Sequence, residues 1–162
     1  MKVLEAMRVH VNVISPAATL AEALDRMDLY QMTLLPVVGE EGRLEGVISE
    51  KDLEIALLVP YVTPYVKPHL NEAHGASSSD SREALSHIAA TNVLTPLERA
   101  QSCTVSEYMT SPAVAVDEQA DIADALDLML SHRLKRIPVT ANGRLVGLIG
   151  RVDIAQALVT SC

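Results

Sequence analysis

Apolar positions along the chain fall into two helical stripes and four short runs. Leu20, Ala23, Leu24 and Met27 recur at spacings of three and four, as do Ile122, Ala125, Leu126 and Met129. Each set lines one face of an amphipathic helix. Thr19-x-x-Glu22 opens the first of these helices as a capping box, in which the Thr oxygen takes a free amide and the Glu reaches back. Behind each helix stand two short apolar runs, LLPVV then RLEGVIS, and RIPVT then RLVGLIG. GEEG joins the first pair and ANG the second, and Gly there supplies the backbone freedom of a tight turn, so each pair predicts a β-hairpin. A short helical turn and a strand, around residues 11–14 and 113–116, precede each helix. A closing helix begins near Asp52 and again near Asp153. The predicted order is helical turn, strand, helix, strand, strand, helix, twice.

The two passages are copies. Residues 3–39 align with 105–141 at an offset of 102, and after one residue drops out of the turn Gly42 aligns with Gly143. VLEAM answers VSEYM, AEALDRM answers ADALDLM, and GRLEGVISEKDLEIAL answers GRLVGLIGRVDIAQAL. About nineteen of some fifty-four aligned positions are identical, so the chain divides into a first repeat (1–58), a connection (59–102) and a second repeat (103–162). A unit of roughly 55 residues buries little surface alone, so the copies are expected to pack together. The connection is too long for bare loop. Pro60, Pro64 and Pro68 forbid a regular helix at its start, and residues 71–81, NEAHGASSSDS, read as its most mobile part. Asp80-x-x-Glu83 caps a predicted helix carrying Leu85, Ile88 and Ala89, and Thr95-Pro96 starts a last short one.

Composition narrows the chemistry. Apolar residues make up 49 % and charged residues 21 % of 162, which suits a packed core and argues against disorder. There is no Trp or Phe, only four Tyr, and the formal net charge is −8. A nucleic-acid binder needs stacking platforms and a basic field, and this chain has neither overall. No apolar run approaches the roughly 20 residues that span a bilayer, and the start MKVLEAMRVH does not read as a signal peptide. Cys103 and Cys162 are too few for a disulfide framework or a thiolate metal site, and VTSC is not a prenylation box. These features predict a soluble protein of a reducing compartment, the cytoplasm. His69 and His74 form no metal-binding pattern. There is no G-x-S-x-G, no G-x-x-x-x-G-K and no H-E-x-x-H, so neither an enzyme nor a resident cofactor is expected.

The M-R and M-T openings, the hydrophobic-Pro-Val strand, and G-R-L-x-G-hydrophobic-Ile followed by x-x-x-Asp at a helix start occur twice in register. In this the chain resembles a tandem pair of cystathionine-β-synthase (CBS) domains, across both copies but not the connection. The resemblance implies an α+β or α/β fold in which two repeats pack about a pseudo-two-fold axis. It implies a regulatory module whose clefts bind adenosine-containing ligands and whose pairs form homodimers.

Asp52 and Asp153 stand at helix starts just after a strand. A carboxylate so placed can accept from both hydroxyls of a ribose diol, and a helix N-terminus favours phosphate. The same Asp also suits an ordinary helix cap, as in Ser49-x-x-Asp52. The second copy has Gly150 where the first has Ser49, losing a hydroxyl that the family often uses. Arg133, Lys135, Arg136, Arg144 and Arg151 crowd into the second copy, which is either a solvated face or a phosphate site. The resemblance puts Lys135 and Arg136, just before Ile137-Pro138-Val139, at a phosphate, where the first copy has Thr33 and Leu34. His132 is a further donor or a plain helix-end residue. An adenine would rest on aliphatic walls, from Val11, Val13, Pro36 and Val37 in one copy and Val114, Val116, Pro138 and Val139 in the other.

The leading expectation is a ligand-sensing module for AMP, ADP, ATP or S-adenosylmethionine. The alternative is a ligand-free interaction or dimerisation module that regulates a separate enzyme or transporter. An enzyme with the connection as lid has only length in its favour.

Overall fold

The computed structural model describes residues 1–58 and 95–160. Pro60, Pro64 and Pro68, the 71–81 stretch, the Asp80–Glu83 cap with its helix, His69, His74 and Cys162 lie outside them. In the first copy the elements are α1 (Val3–Ala6), α2 (Leu20–Tyr30), β1 (Leu34–Val38), β2 (Leu44–Ser49) and α3 (Glu50–Leu57). Next come α4 (Pro96–Ser102), α5 (Val105–Tyr108), β3 (Val116–Asp117), α6 (Ile122–Ser131), β4 (Arg136–Ala141), β5 (Arg144–Gly150) and α7 (Arg151–Thr160).

The local signals act as the sequence predicts. Thr19 accepts from the Glu22 amide at 3.2 Å while Glu22 accepts from the Thr19 amide at 2.8 Å. Thr95 and Glu98 repeat the arrangement at the start of α4, with Pro96 as its first residue. On α2, Leu20, Ala23 and Met27 are buried, but Leu24 remains exposed at the edge of the stripe. The β4–β5 turn carries Asn142 and Gly143 at φ 51° and 79°, the paired positive φ values of a tight hairpin turn. In the first copy Glu41 and Gly42 take that role at φ 55° and 77°.

β1 pairs antiparallel with β2, and β4 with β5; β3 joins β4 in parallel. The predicted strand at 11–14 reduces to a single parallel bridge, Ile14 to Val37, equivalent to the pairing of Val116 with Val139. Pro16 follows at once and has no amide with which to extend the ladder.

The hydrophobic cores do not follow the sequence repeats. One core gathers Leu20, Met27, Leu35, Val37, Ile48 and Leu53 of the first copy, yet also contains Ala100 of α4 and Val105 of α5. The other gathers Val116, Met129, Ile137, Val139, Ile149 and Ile154, yet also contains Val3 of α1. Each opening helix therefore crosses to the other copy. Backbone bonds hold both crossings: the Val3 amide donates to the Ala120 carbonyl at 3.0 Å, and the Val105 amide to the Ala18 carbonyl at 2.8 Å. Val3 and Val105 are fully buried, each contributing roughly 1.5–3 kcal/mol by the area rule.

Past each crossing helix the chain lies along the partner hairpin. Arg8 bridges Leu148, and Thr110 bridges Val47. The second glycine of G-R-L-x-G permits this. A Cβ on Gly46 would stand 2.7 Å from the Thr110 carbonyl oxygen, and one on Gly147 2.8 Å from that of Arg8. The motif is a seat for a foreign strand.

Candidate functional site

The crossings place a residue of one copy against the helix-start aspartate of the other. At the β2–α3 junction, the Ser49 amide and hydroxyl donate to Asp52 Oδ2 at 2.8 and 2.6 Å, and Ser49 Oγ accepts from the Asp52 amide at 3.3 Å. The second oxygen, Oδ1, receives the Thr110 hydroxyl at 3.3 Å. At the β5–α7 junction the Gly150 amide donates to Asp153 Oδ2 at 2.9 Å. Asp153 Oδ1 receives Arg8 Nε at 2.7 Å, forming an ion pair. Thr110 and Arg8 are equivalent positions of the repeat, so the two junctions share one design with a different final donor. Asp52 is half-buried, whereas Asp153 is only 8 % exposed and is the only buried charged side chain among the described residues.

Asp153 opens on a cleft of about 260 Å³ between the copies. Arg8, His10, Val11 and Asn12 form one wall on the chain leaving α1, with Tyr30, Gln31 and Met32 at the end of α2. Arg136, Leu148 and Asp153 complete the lining, Leu148 and Asp153 directly bonded to Arg8. Two arginines thus line the cleft with one carboxylate, a local excess of positive charge in a chain of net charge −8.

The remaining sequence candidates are distributed unevenly. Val11 shares a cleft with Asp153 of the other copy, not with Asp52 of its own. Lys135 is exposed in the loop before β4, its carbonyl taking the Arg151 amide at 3.2 Å, and it does not line this cleft. Pro36, Val37, Pro138 and Val139 are buried in the two cores, and Val116 nearly so. Val13 and Val114 are half-buried; the Val13 carbonyl accepts from Arg26. His132 ends α6 and is exposed. Gly150 is enclosed, its missing Cβ lying 2.9 Å from Arg136 Cγ and 3.1 Å from Asp153 Oδ2. The residues absent from the sequence reading are Arg8, His10 and Tyr30. For Arg8 the signal was present in the repeat alignment, where it falls on Thr110; His10 and Tyr30 carry no such signal.

A larger groove of about 590 Å³ lies on the outer face, between α2 and α3 beside Pro96. Leu24, Met27, Leu53, Leu57 and Leu58 line it with Asp28, Glu50 and Glu54 at the rim. Among the described residues its polar lining is carboxylate with Gln31 and Thr33, whereas the smaller cleft gathers Arg8, His10, Arg136 and Asp153, the converging polar groups of a ligand site. Among the described residues, no three or more His, Cys, Asp or Glu are placed to hold a metal ion, and no helix is long and apolar enough to cross a membrane.

The family model for the CBS domain matches residues 3–58 and 105–160. An uncharacterized 17.7 kDa protein of Acidianus ambivalens is 27 % identical over 158 residues, covering 97 % of this chain and 73 % of its own. The chloroplastic CBS domain-containing protein CBSX1 of Arabidopsis thaliana is 27 % identical over 149 residues, 91 % of this chain, which spans 58 % of that relative's length. Among solved structures, CBSX2 in complex with AMP superposes with a TM-score of 0.67 at 23 % identity, covering 99 % of this chain and 97 % of that one. The duplicated sequence, the crossed cores and these matches agree: the chain belongs to the CBS domain family, as a tandem pair of such domains.

Proposed function

We propose that this chain is a regulatory, ligand-sensing module that binds an adenosine-containing ligand, AMP, ADP, ATP or S-adenosylmethionine, between its repeats and catalyses no reaction. The observation carrying this reading is the pair of helix-start carboxylates, each with one oxygen committed to its own helix and the other turned to a residue of the opposite copy. That outward oxygen is the acceptor a ribose hydroxyl needs. Ser49, Asp52 and Asp153 are the proposed ribose contacts, Arg136 the phosphate contact with Lys135 next to it along the chain, and Val11 the base wall, backed by Val13, Pro36, Val37, Val114 and Pro138. The AMP complex of CBSX2 supports the ligand class. The proposed setting is the cytoplasm, in keeping with the free thiol of Cys103.

Saturation at about 100 times the dissociation constant stabilises the folded state by roughly 2.7 kcal/mol, which for a domain of this size raises Tm by roughly 5–10 °C. A thermal-shift panel at millimolar concentration checks it. A flat response to the three nucleotides and to S-adenosylmethionine overturns the proposal.

A second reading is a ligand-free interaction module, a homodimer or the regulator of a separate enzyme or transporter. It is favoured by the apolar surface of α7, where Val152 is 71 % and Val159 77 % exposed. Sedimentation of ligand-free protein as a dimer, lost on Val152→Glu with Val159→Glu, supports it; a monomer that still responds to nucleotide excludes it.

A further inference from the structure

We propose that Arg8 is a specificity-determining residue that restricts the Asp153 cleft to phosphorylated ligands, a restriction that the Asp52–Thr110 junction lacks. The inference rests on the adenosine reading of the cleft and assigns its ligand class to one residue.

Arg8 is held at its backbone and free at its tip. Its amide donates to the Leu148 carbonyl at 2.8 Å and its carbonyl accepts from the Leu148 amide at 3.0 Å, while its side chain is 59 % exposed. The guanidinium can swing without disturbing the strand. Asp153 cannot follow it, because Oδ2 is tied to the Gly150 amide and the residue is buried. Gly150 brings no hydroxyl, so Oδ1 depends on Arg8 Nε at 2.7 Å.

Oδ1 has two lone pairs, so a ribose hydroxyl reaching it either shares the oxygen with Arg8 Nε or displaces that guanidinium. In both cases a neutral nucleoside weakens a charge-assisted bond and brings Arg8 no anion in return, which is unfavourable. A phosphate ester supplies the anion that Arg8 gives up. Arg136 lines the same cleft, its stem beside Gly150: its Cγ and Asp153 Oδ2 both lie within about 3.1 Å of the Cβ that Gly150 lacks. Two arginines can then grip phosphate oxygens while Asp153 takes the hydroxyl. The cleft's volume of about 260 Å³, below the roughly 300–1,000 Å³ of ordinary ligand pockets, fits a site that Arg8 partly fills until it moves. At the other junction the equivalent donor to Asp52 is the Thr110 hydroxyl at 3.3 Å. An incoming ribose there displaces a neutral partner at little loss, whether or not phosphate follows.

The test is isothermal titration of AMP and of adenosine into the unaltered chain and into three Asp52→Asn proteins, with Arg8 kept, Arg8→Thr or Arg8→Gln, the last three reading the Asp153 cleft alone. Thr matches the residue at the equivalent position, and Gln keeps length and a donor without charge. The AMP-over-adenosine preference is expected to be on the order of 100-fold with Arg8 and to fall about tenfold or more in both variants, because one charge-assisted bond corresponds to roughly a tenfold ratio. An unchanged preference in a folded variant overturns the role of Arg8 and leaves the adenosine reading intact, as does equal binding of both compounds with Arg8 present. Binding of neither compound to any of the proteins, with or without Asp52, overturns the adenosine reading itself.

Discussion

Gly147→Ala tests the crossed architecture most directly. The new methyl carbon would lie 2.8 Å from the Arg8 carbonyl oxygen, 2.8 Å from Met7 Sδ and 3.2 Å from Met7 Cγ. Met7 can rotate away, but the Arg8 oxygen is main chain, bonded to the Leu148 amide at 3.0 Å. The foreign segment must lift. Overpacking of this kind costs about 1–3 kcal/mol, and loosening the two Arg8–Leu148 bonds adds about 0.5–1.5 kcal/mol each. Against this, Ala restricts the unfolded chain and returns about 0.4–1 kcal/mol. The net expectation is a loss of roughly 1–5.6 kcal/mol, or about 2–22 °C in Tm for a chain of this length. Urea denaturation reads the free energy and a thermal melt the temperature. Because Arg8 moves with the segment, AMP affinity should fall as well. Gly143→Ala is the control: its site is sterically open but has φ 79°, so it should destabilise through backbone strain without touching AMP binding. A Gly147→Ala protein as stable as its parent would refute the close seating of the crossing strand.

Arg99 ties the crossing elements to the first core, donating from Nε to the Ala56 carbonyl at 3.1 Å and from Nη2 to the Tyr108 hydroxyl at 2.8 Å. Arg99→Ala should therefore destabilise by about 1.5–3 kcal/mol in urea denaturation, and Tyr108→Phe by less. A double-mutant cycle that finds the two additive would deny the link. Acid stability follows from two exposed caps. The backbone amides of Thr95 and Thr104, and then their hydroxyls, hold Glu98 and Glu107 below the ordinary Glu value of 4.5. A lowered folded value means the stabilisation is full above pH 4.5 and is lost as pH falls through the folded value. Glu98→Gln with Glu107→Gln should flatten the stability profile below that pH and leave its slope unchanged above it; an unaltered acid limb would count against the caps.

Much of the fold is legible in the residues themselves. The capping box at Thr19, the Thr95 cap with Pro96 behind it, the hairpin turns at Gly42 and Gly143 and the stripes of α2 and α6 are short-range features, set by neighbours within about four positions. Leu24 was misjudged because periodicity marks a face and not where that face meets another element. The strand expected at 11–14 shortens to Ile14 because only that residue reaches the β1 edge, bonding Pro36 and Val38, and Pro16 blocks its extension beyond Ser15.

The sequence alone determined the duplication, the element order, the family pattern and the paired aspartates, since all are carried by spacing along the chain. Which residues meet across the clefts was decided only by tertiary structure. Each opening helix buries Val3 or Val105 in the opposite core, and so brings Thr110 to Asp52 and Arg8 to Asp153 over separations of 58 and 145 residues. Contacts at such distances are selected by the burial of apolar surface in the assembled pair, a quantity that no local pattern encodes.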